Sequence, residues 1–197
     1  MAAKPILMYL SYGHWIGVDP GAVSGRFVEA KMAYRYMTAC YKELFVLRRK
    51  YGYNFEIAFP EKSGRGMSLR NHVNDIRRYR KKYRVVAVDG HLNAGKGRGA
   101  EVLINPKDKY EQYLGECVLK ELRKLGFDYH SYDGKISSAI KKDGSFTFLR
   151  AGGVNMILEP GFLDNPQDRK KFNTDKKLEA LGKAVARGMV NYYKKYR

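Results

Sequence analysis

Four residues of this chain have the types and the placement that metal-assisted hydrolysis requires: His14, Glu29, His91 and Glu159. Residues 4–11 form an apolar run that leads into Gly13-His14. The β-branched run 85–89 leads into Gly90-His91, residues 154–158 lead into Glu159, and Glu29 opens a long helical pattern. In folds that alternate strands and helices, functional groups gather in the loops beyond the C-terminal ends of strands. Two histidines and one carboxylate would fill three positions around zinc and leave a fourth open, as catalytic sites do. Zinc brings a bound water toward ionisation at neutral pH. A second carboxylate outside the metal shell is then needed to move protons, and Glu159 suits that role. Taken singly, each residue has a plainer explanation: a histidine after a strand is more often structural, and Glu29 is a first-turn carboxylate of the kind a helix dipole favours. The ordered combination carries the metal reading. His72 and His130 lack partner motifs and are expected to be structural or exposed.

These residues need elements to hold them. Strands are expected at 4–11, 55–59, 85–89, 100–104 and 154–158, where short apolar or β-branched runs end in turn residues. Apolar residues spaced three or four apart predict a helix over 28–50, with Gly52 as its stop. Ser68 would cap a helix over 69–83, and further helices are expected over 110–125 and 176–193. Residues 127–150 look irregular, and 160–174 look like a loop with a helical turn. Alternating strands and helices predict one α/β domain over residues 1–197, with a twisted, mostly parallel or mixed sheet flanked by helices on both faces. Cys40 and Cys117 fall among apolar neighbours and read as buried free thiols rather than a disulfide framework.

Composition points to the partner class. Lys and Arg total 38 against 20 Asp and Glu, a formal charge of +18. Such a chain attracts polyanions, whether nucleic acid, anionic lipid or the acidic polymers of a cell envelope. The basic segments 77–84 and 191–197 are interleaved with tyrosines, yet each alone reads as a solvated cationic face. No apolar run reaches the ~20 residues of a membrane span, and the first ten residues lack the pattern of a signal peptide. The Gly-rich segment 95–99 lacks the order of a phosphate-binding loop and is expected at the rim of the site.

Several segments resemble the zinc-dependent N-acetylmuramoyl-L-alanine amidases of the amidase-3 type: Gly13-His14, Asp19-Pro20-Gly21-Ala22, Glu29, His91-Leu92-Asn93-Ala94, and Glu159-Pro160-Gly161-Phe162 followed by Asn165. The resemblance spans nearly the whole chain. It implies zinc ligands at His14, Glu29 and His91, a catalytic glutamate at Glu159, and peptidoglycan as substrate. It also implies that Glu101 helps shape the site and, more loosely, that Arg70 matches an arginine ahead of the central strand. The sequence departs from the family pattern at Ser11, where an Asp is usual, at Trp15-Ile16, where glycines are usual, and at Asp89, where a Ser is usual. Trp15 is therefore expected to contact substrate and Asp89 to orient His91. The biological reading that follows is a phage-type endolysin made in the host cytoplasm without a signal peptide or a separate wall-binding domain. Its basic surface would be drawn to anionic envelope polymers or lipids, with no specific nucleic acid partner. Two alternatives stay open. A zinc carboxypeptidase would cut within the stem peptide, although that class keeps its first His and Glu about three residues apart, far closer than His14 and Glu29. A basic nucleic-acid-binding protein would account for the charge but not for the placement of the four site residues.

Overall fold

Strand β1 (Ile6–Tyr12) is buried along its whole length because its two faces meet two different cores. Side chains alternate across a strand. Ile6, Met8, Leu10 and Tyr12 enter the larger core, while Leu7 and Tyr9 enter a smaller one on the opposite face. A sheet covered on both faces reads as a continuous apolar run, which is how residues 4–11 and 85–89 read. The structure is a computed structural model that describes residues 4–131 and 133–197. Residues 1–3 of the leading stretch and Tyr132 in the irregular span lie outside the described residues.

The main sheet runs β4 (Phe55–Ala58), β1, β5 (Arg84–Gly90), β8 (Val154–Glu159), β6 (Glu101–Ile104), β7 (Ile140–Lys142). The first four strands are mutually parallel, β6 is antiparallel to β8, and β7 is parallel to β6. The sheet is therefore mixed, as expected. A small antiparallel pair, β2 (Val23–Ser24) and β3 (Phe27–Val28), precedes the first helix. Helices α1 (Glu29–Tyr51), α3 (Lys109–Lys124) and α5 (Asp175–Tyr196) supply the larger core. Helix α2 (Leu69–Tyr79) and the 3-10 turn Leu149–Ala151 supply the smaller one. Among the described residues no helix is long and apolar enough to cross a membrane.

The helix ends follow their capping chemistry. Gly52 stops α1 in the left-handed region at φ 63°, and the Ser68 side chain accepts from the Asn71 N–H at the start of α2. Three expectations need adjustment. Helix α2 ends at Tyr79 rather than 83, because the chain must turn back for the Arg84 N–H to bond the Pro5 carbonyl and start β5. The segment 160–174 contains a true short helix, α4 (Pro166–Phe172), capped by Asn165 with proline in its first turn. Helix α5 runs past 193 to Tyr196, held by Tyr192 and Tyr193, both buried. Cys40 and Cys117 are free and buried, as expected.

Helix α5 lies so close to its neighbours that two of its positions tolerate only glycine. A Cβ on Gly182 would sit 2.1 Å from the Tyr36 carbonyl oxygen of α1, and one on Gly188 would sit 2.6 Å from the Val118 Cα of α3. Both obstacles are backbone, so relief requires moving a helix. Gly182→Ala is expected to cost ~2–4 kcal/mol of stability through overpacking, read from chemical denaturation. An unchanged midpoint would contradict this packing.

Candidate metal centre

Glu29 is the first residue of α1 and is 4% exposed. Its carboxylate is the meeting point of the site. The Nε2 of His14 lies 3.1 Å from Oε2, and the Nδ1 of His91 lies 3.1 Å from Oε1. The Ala22 N–H donates to Oε2 at 2.9 Å and the Leu92 N–H to Oε1 at 3.1 Å. Burial alone would raise the Glu29 pKa, but the bonds from the two histidines outweigh it and hold the carboxyl well below its usual range. One ring nitrogen from each histidine and one Glu29 oxygen all lie within 4.8 Å of one another.

Two glycines make the approach possible. A Cβ on Gly13 would stand 2.0 Å from Cε1 of His91. Gly21 has φ +65°, and a Cβ there would meet His14 Cδ2 at 2.4 Å and Glu29 Oε2 at 2.6 Å. The turn Asp19-Pro20-Gly21-Ala22 thus brings backbone against the ring of one histidine and the carboxylate. His14 itself sits at φ 69°, a region that non-glycine residues seldom adopt. Its ring is fixed at both ends, by Glu29 and by Asp19.

Each histidine is backed by a second carboxylate. His14 Nδ1 donates to Asp19 Oδ2 at 2.8 Å, and His91 Nε2 faces Asp89 Oδ2 at 3.3 Å. Such partners fix ring orientation and raise ligand basicity. The bond to Glu29, helped by Asp19, raises the His14 pKa against the opposing effect of burial. Burial lowers His91, but Asp89 and Glu29 more than reverse it and carry the ring well above its ordinary value. Asp89 is as expected from the sequence, while Asp19 is an addition that its place in the turn could have suggested.

The departures at Ser11 and Asp89 are linked. These residues face each other in register across β1 and β5, and the Ser11 hydroxyl donates to Asp89 Oδ1 at 2.7 Å. Relative to the pattern the sequence resembles, serine and aspartate have exchanged adjacent strands, and a carboxylate remains beside His91. The donor set of two imidazoles and one carboxylate, oriented from behind by acids, suits zinc.

Glu159 ends β8 and faces Glu101 across the β6–β8 pair. Its Oε2 is buried without a hydrogen-bond partner. Burial chiefly, with added repulsion from Glu29, Glu101 and Asp89, pushes its carboxyl up to about 8 despite the attraction of His91. Glu101 is itself raised by burial. It accepts from the Asn93 side chain at 2.6 Å, and His130 lies 3.8 Å away. This is a bonded strand residue close to the site, consistent with a shaping role.

A cleft of about 400 Å3 opens over His14, His91 and Glu159. Trp15 stands at its mouth, 38% exposed, with its ring against Gly66. From there the cleft continues as an apolar trough lined by Leu69, Leu103, Phe146 and Ile157. His72 is buried in its wall, paired with the Tyr9 hydroxyl at 2.8 Å and 3.3 Å from Glu61 Oε2. Buried Glu61 accepts from the N–H groups of Tyr12 and Met67 and so ties the loop 59–68 to β1. His72 is thus structural rather than exposed, and Glu61 is an anchor that sequence reading missed. Arg70 is exposed on α2, the helix ahead of the central strand β5, and does not line the cleft. One expectation fails by position: segment 95–99 does not line the cleft, because Asp164 accepts from the N–H groups of Gly95 and Lys96 and Gly97 packs against Phe162.

Comparison with known proteins agrees with this fold. The profile of a family described as N-acetylmuramoyl-L-alanine amidase matches residues 9–191. An N-acetylmuramoyl-L-alanine amidase from Clostridium difficile 630 superposes with a TM-score of 0.78 at 17% identity, covering 98% of each chain. A putative N-acetylmuramoyl-L-alanine amidase from Neisseria meningitidis is 30% identical, with a TM-score of 0.65 over 94% of this chain and 95% of that one. The CwlD amidase from Clostridioides difficile, solved in complex with the GerS lipoprotein, is 19% identical with a TM-score of 0.73 over 97% and 99%. No curated protein matches the sequence.

Two measurements test this arrangement. Asp89→Ala is expected to weaken metal binding about 10–100-fold, and Ser11→Asp combined with Asp89→Ser should recover much of it by returning the carboxylate to β1. A double variant no better than Asp89→Ser alone would show that the exchange is not compensating. Glu159 gives a pH signature in the metal-free protein. Its folded pKa of about 8 exceeds the ordinary 4.5, so the unfolded chain loses that proton first. Stability therefore falls as pH rises through that window. Glu159→Gln should raise the thermal midpoint at about pH 7 and leave it unchanged at about pH 4; equal effects at both would contradict the account.

Proposed function

The chain belongs to the N-acetylmuramoyl-L-alanine amidase family, and from that premise we propose that it is a zinc enzyme cutting the amide between the lactyl group of N-acetylmuramic acid and L-alanine. His14, Glu29 and His91 hold the ion. The observation that carries this reading is the bridging by one buried carboxylate of two histidines that both line the cleft.

When bound there, zinc supplies Lewis acidity toward the scissile carbonyl and toward a water. Glu159 handles the protons. Its unpartnered Oε2 is free to accept one from the attacking water and return it to the leaving amine nitrogen of L-alanine. The raised pKa fits a group that must both take and give a proton near neutrality. A cation on the neighbouring ligands would favour the ionised form that the base step requires. Asp19 and Asp89 keep the two rings aimed, and Trp15 with the apolar trough offers surface to the substrate on either side of the cut.

The biological setting belongs to the same proposal: a lytic enzyme of the phage-endolysin type, made in the host cytoplasm and acting on the wall once the membrane is breached. The charge of +18 supports attraction to an anionic envelope. The solved relatives named above come from bacteria, so this setting needs its own test. Cytoplasmic expression followed by membrane permeabilisation should lyse the cell, and Glu159→Ala should not. Cleavage of purified wall without lysis would remove the endolysin role and leave the reaction standing.

For the reaction, purified peptidoglycan is digested and the products are read by mass spectrometry. The expected products are intact stem peptides with a new L-alanine amino terminus, absent with Glu159→Ala while that variant still binds zinc. Cuts within the stem peptide would favour a carboxypeptidase, and cleavage unaffected by the substitution would remove Glu159 from the mechanism.

A further inference from the structure

At the opposite end of the sheet lies a second cleft, of about 520 Å3, that the reaction does not use. Its floor is the start of the parallel strands, at Ile6, Val86 and Val154, whereas the metal centre lies at their other ends. The seven residues of β5 separate the two by roughly 20 Å at ~3.3 Å per residue.

Lys4, Arg80 and Arg84 border this cleft, and among the described residues none of them is within ion-pair distance of a carboxylate. They are nevertheless held in place. Lys4 Nζ donates to the Arg80 carbonyl at 3.0 Å, and Arg84 Nε donates to the Lys4 carbonyl at 3.1 Å. The Arg80 guanidinium lies against Gly152, where a Cβ would come within 2.3 Å of it. The cations are thus pinned by backbone and left without counter-charge. The one acid on the cleft, Asp108, spends an oxygen capping α3 through the N–H groups of Tyr110 and Glu111.

The remaining walls are tyrosines. Tyr110 is 42% exposed and meets Tyr196 edge-on at 5.1 Å; Tyr83 completes the rim. Ring faces beside fixed cations suit a polymer that alternates flat or cyclic units with anionic groups. We propose that this cleft binds an anionic glycan, with its phosphate groups on Arg80, Arg84 and Lys4 and its sugar rings against Tyr83, Tyr110 and Tyr196. The choice of glycan over nucleic acid rests on the amidase reading. The consequence is a chain held on its wall by one end of the sheet while the other end cuts.

The test titrates the full chain with a purified phosphodiester-linked wall glycan and, in parallel, with a single-stranded oligonucleotide of matched charge. Arg80→Ala with Arg84→Ala should weaken glycan binding by about tenfold or more. Tyr110→Ala, which keeps every charge, should weaken it several-fold. Arg49→Ala with Lys50→Ala, removing equal charge from exposed positions on α1, should stay within about twofold of wild type. Equal losses in the control pair, no loss in Tyr110→Ala, or tighter binding of the oligonucleotide would each overturn the proposal. Hydrolysis of a soluble muropeptide is followed in the same variants and should match wild type. A wild type that binds the glycan but hydrolyses nothing would sink the amidase reading instead.

Discussion

Everything at the working end of this protein depends on one buried carboxylate. Glu29 must remain ionised while 4% exposed, which burial opposes. Two histidines and two backbone N–H groups offset that cost. Those partners come from separate parts of the chain: the loop after β1, the turn before β2, and the loop after β5. The fold must therefore be complete before the carboxylate is satisfied. The glycines at 13 and 21 follow from the same demand, since a side chain at either would occupy the space of a histidine ring or of Glu29 itself.

The sheet turns this local constraint into a polar molecule in the architectural sense. Parallel strands β1, β5 and β8 deliver His14, His91 and Glu159 to one edge. The antiparallel β6 then sets Glu101 beside Glu159. Two acids facing each other across paired strands resist ionising together, and burial of Glu159 pushes in the same direction. Glu29 and Glu159 are thus two glutamates with opposite settings, one held charged by its partners and the other pushed by burial toward its protonated form.

Much of this is legible in the amino-acid sequence. The strand-to-loop placement of His14, His91 and Glu159 follows from apolar runs ending at polar residues, and the mixed sheet with helices on both faces follows from the alternation of periods. What escaped was lateral. That Ser11 and Asp89 are partners depends on the register of β1 against β5, which separate runs do not reveal. The burial of His72 against Tyr9 and Glu61 is hidden for the same reason, because a basic helix reads as exposed until the sheet face under it is known. The true end of α2 depends on a bond from Arg84 to Pro5 near the other end of the chain.

The central claim is that Glu29 assembles a metal centre from His14 and His91. Its most direct test is the metal content and affinity of the purified chain compared with Glu29→Gln, which keeps the shape but not the charge. The account predicts that wild type binds zinc in a single site with release of protons, because both histidines start with raised pKa values. It also predicts that Glu29→Gln stays folded and loses that affinity by orders of magnitude. A folded Glu29→Gln that binds zinc as tightly as wild type would contradict it.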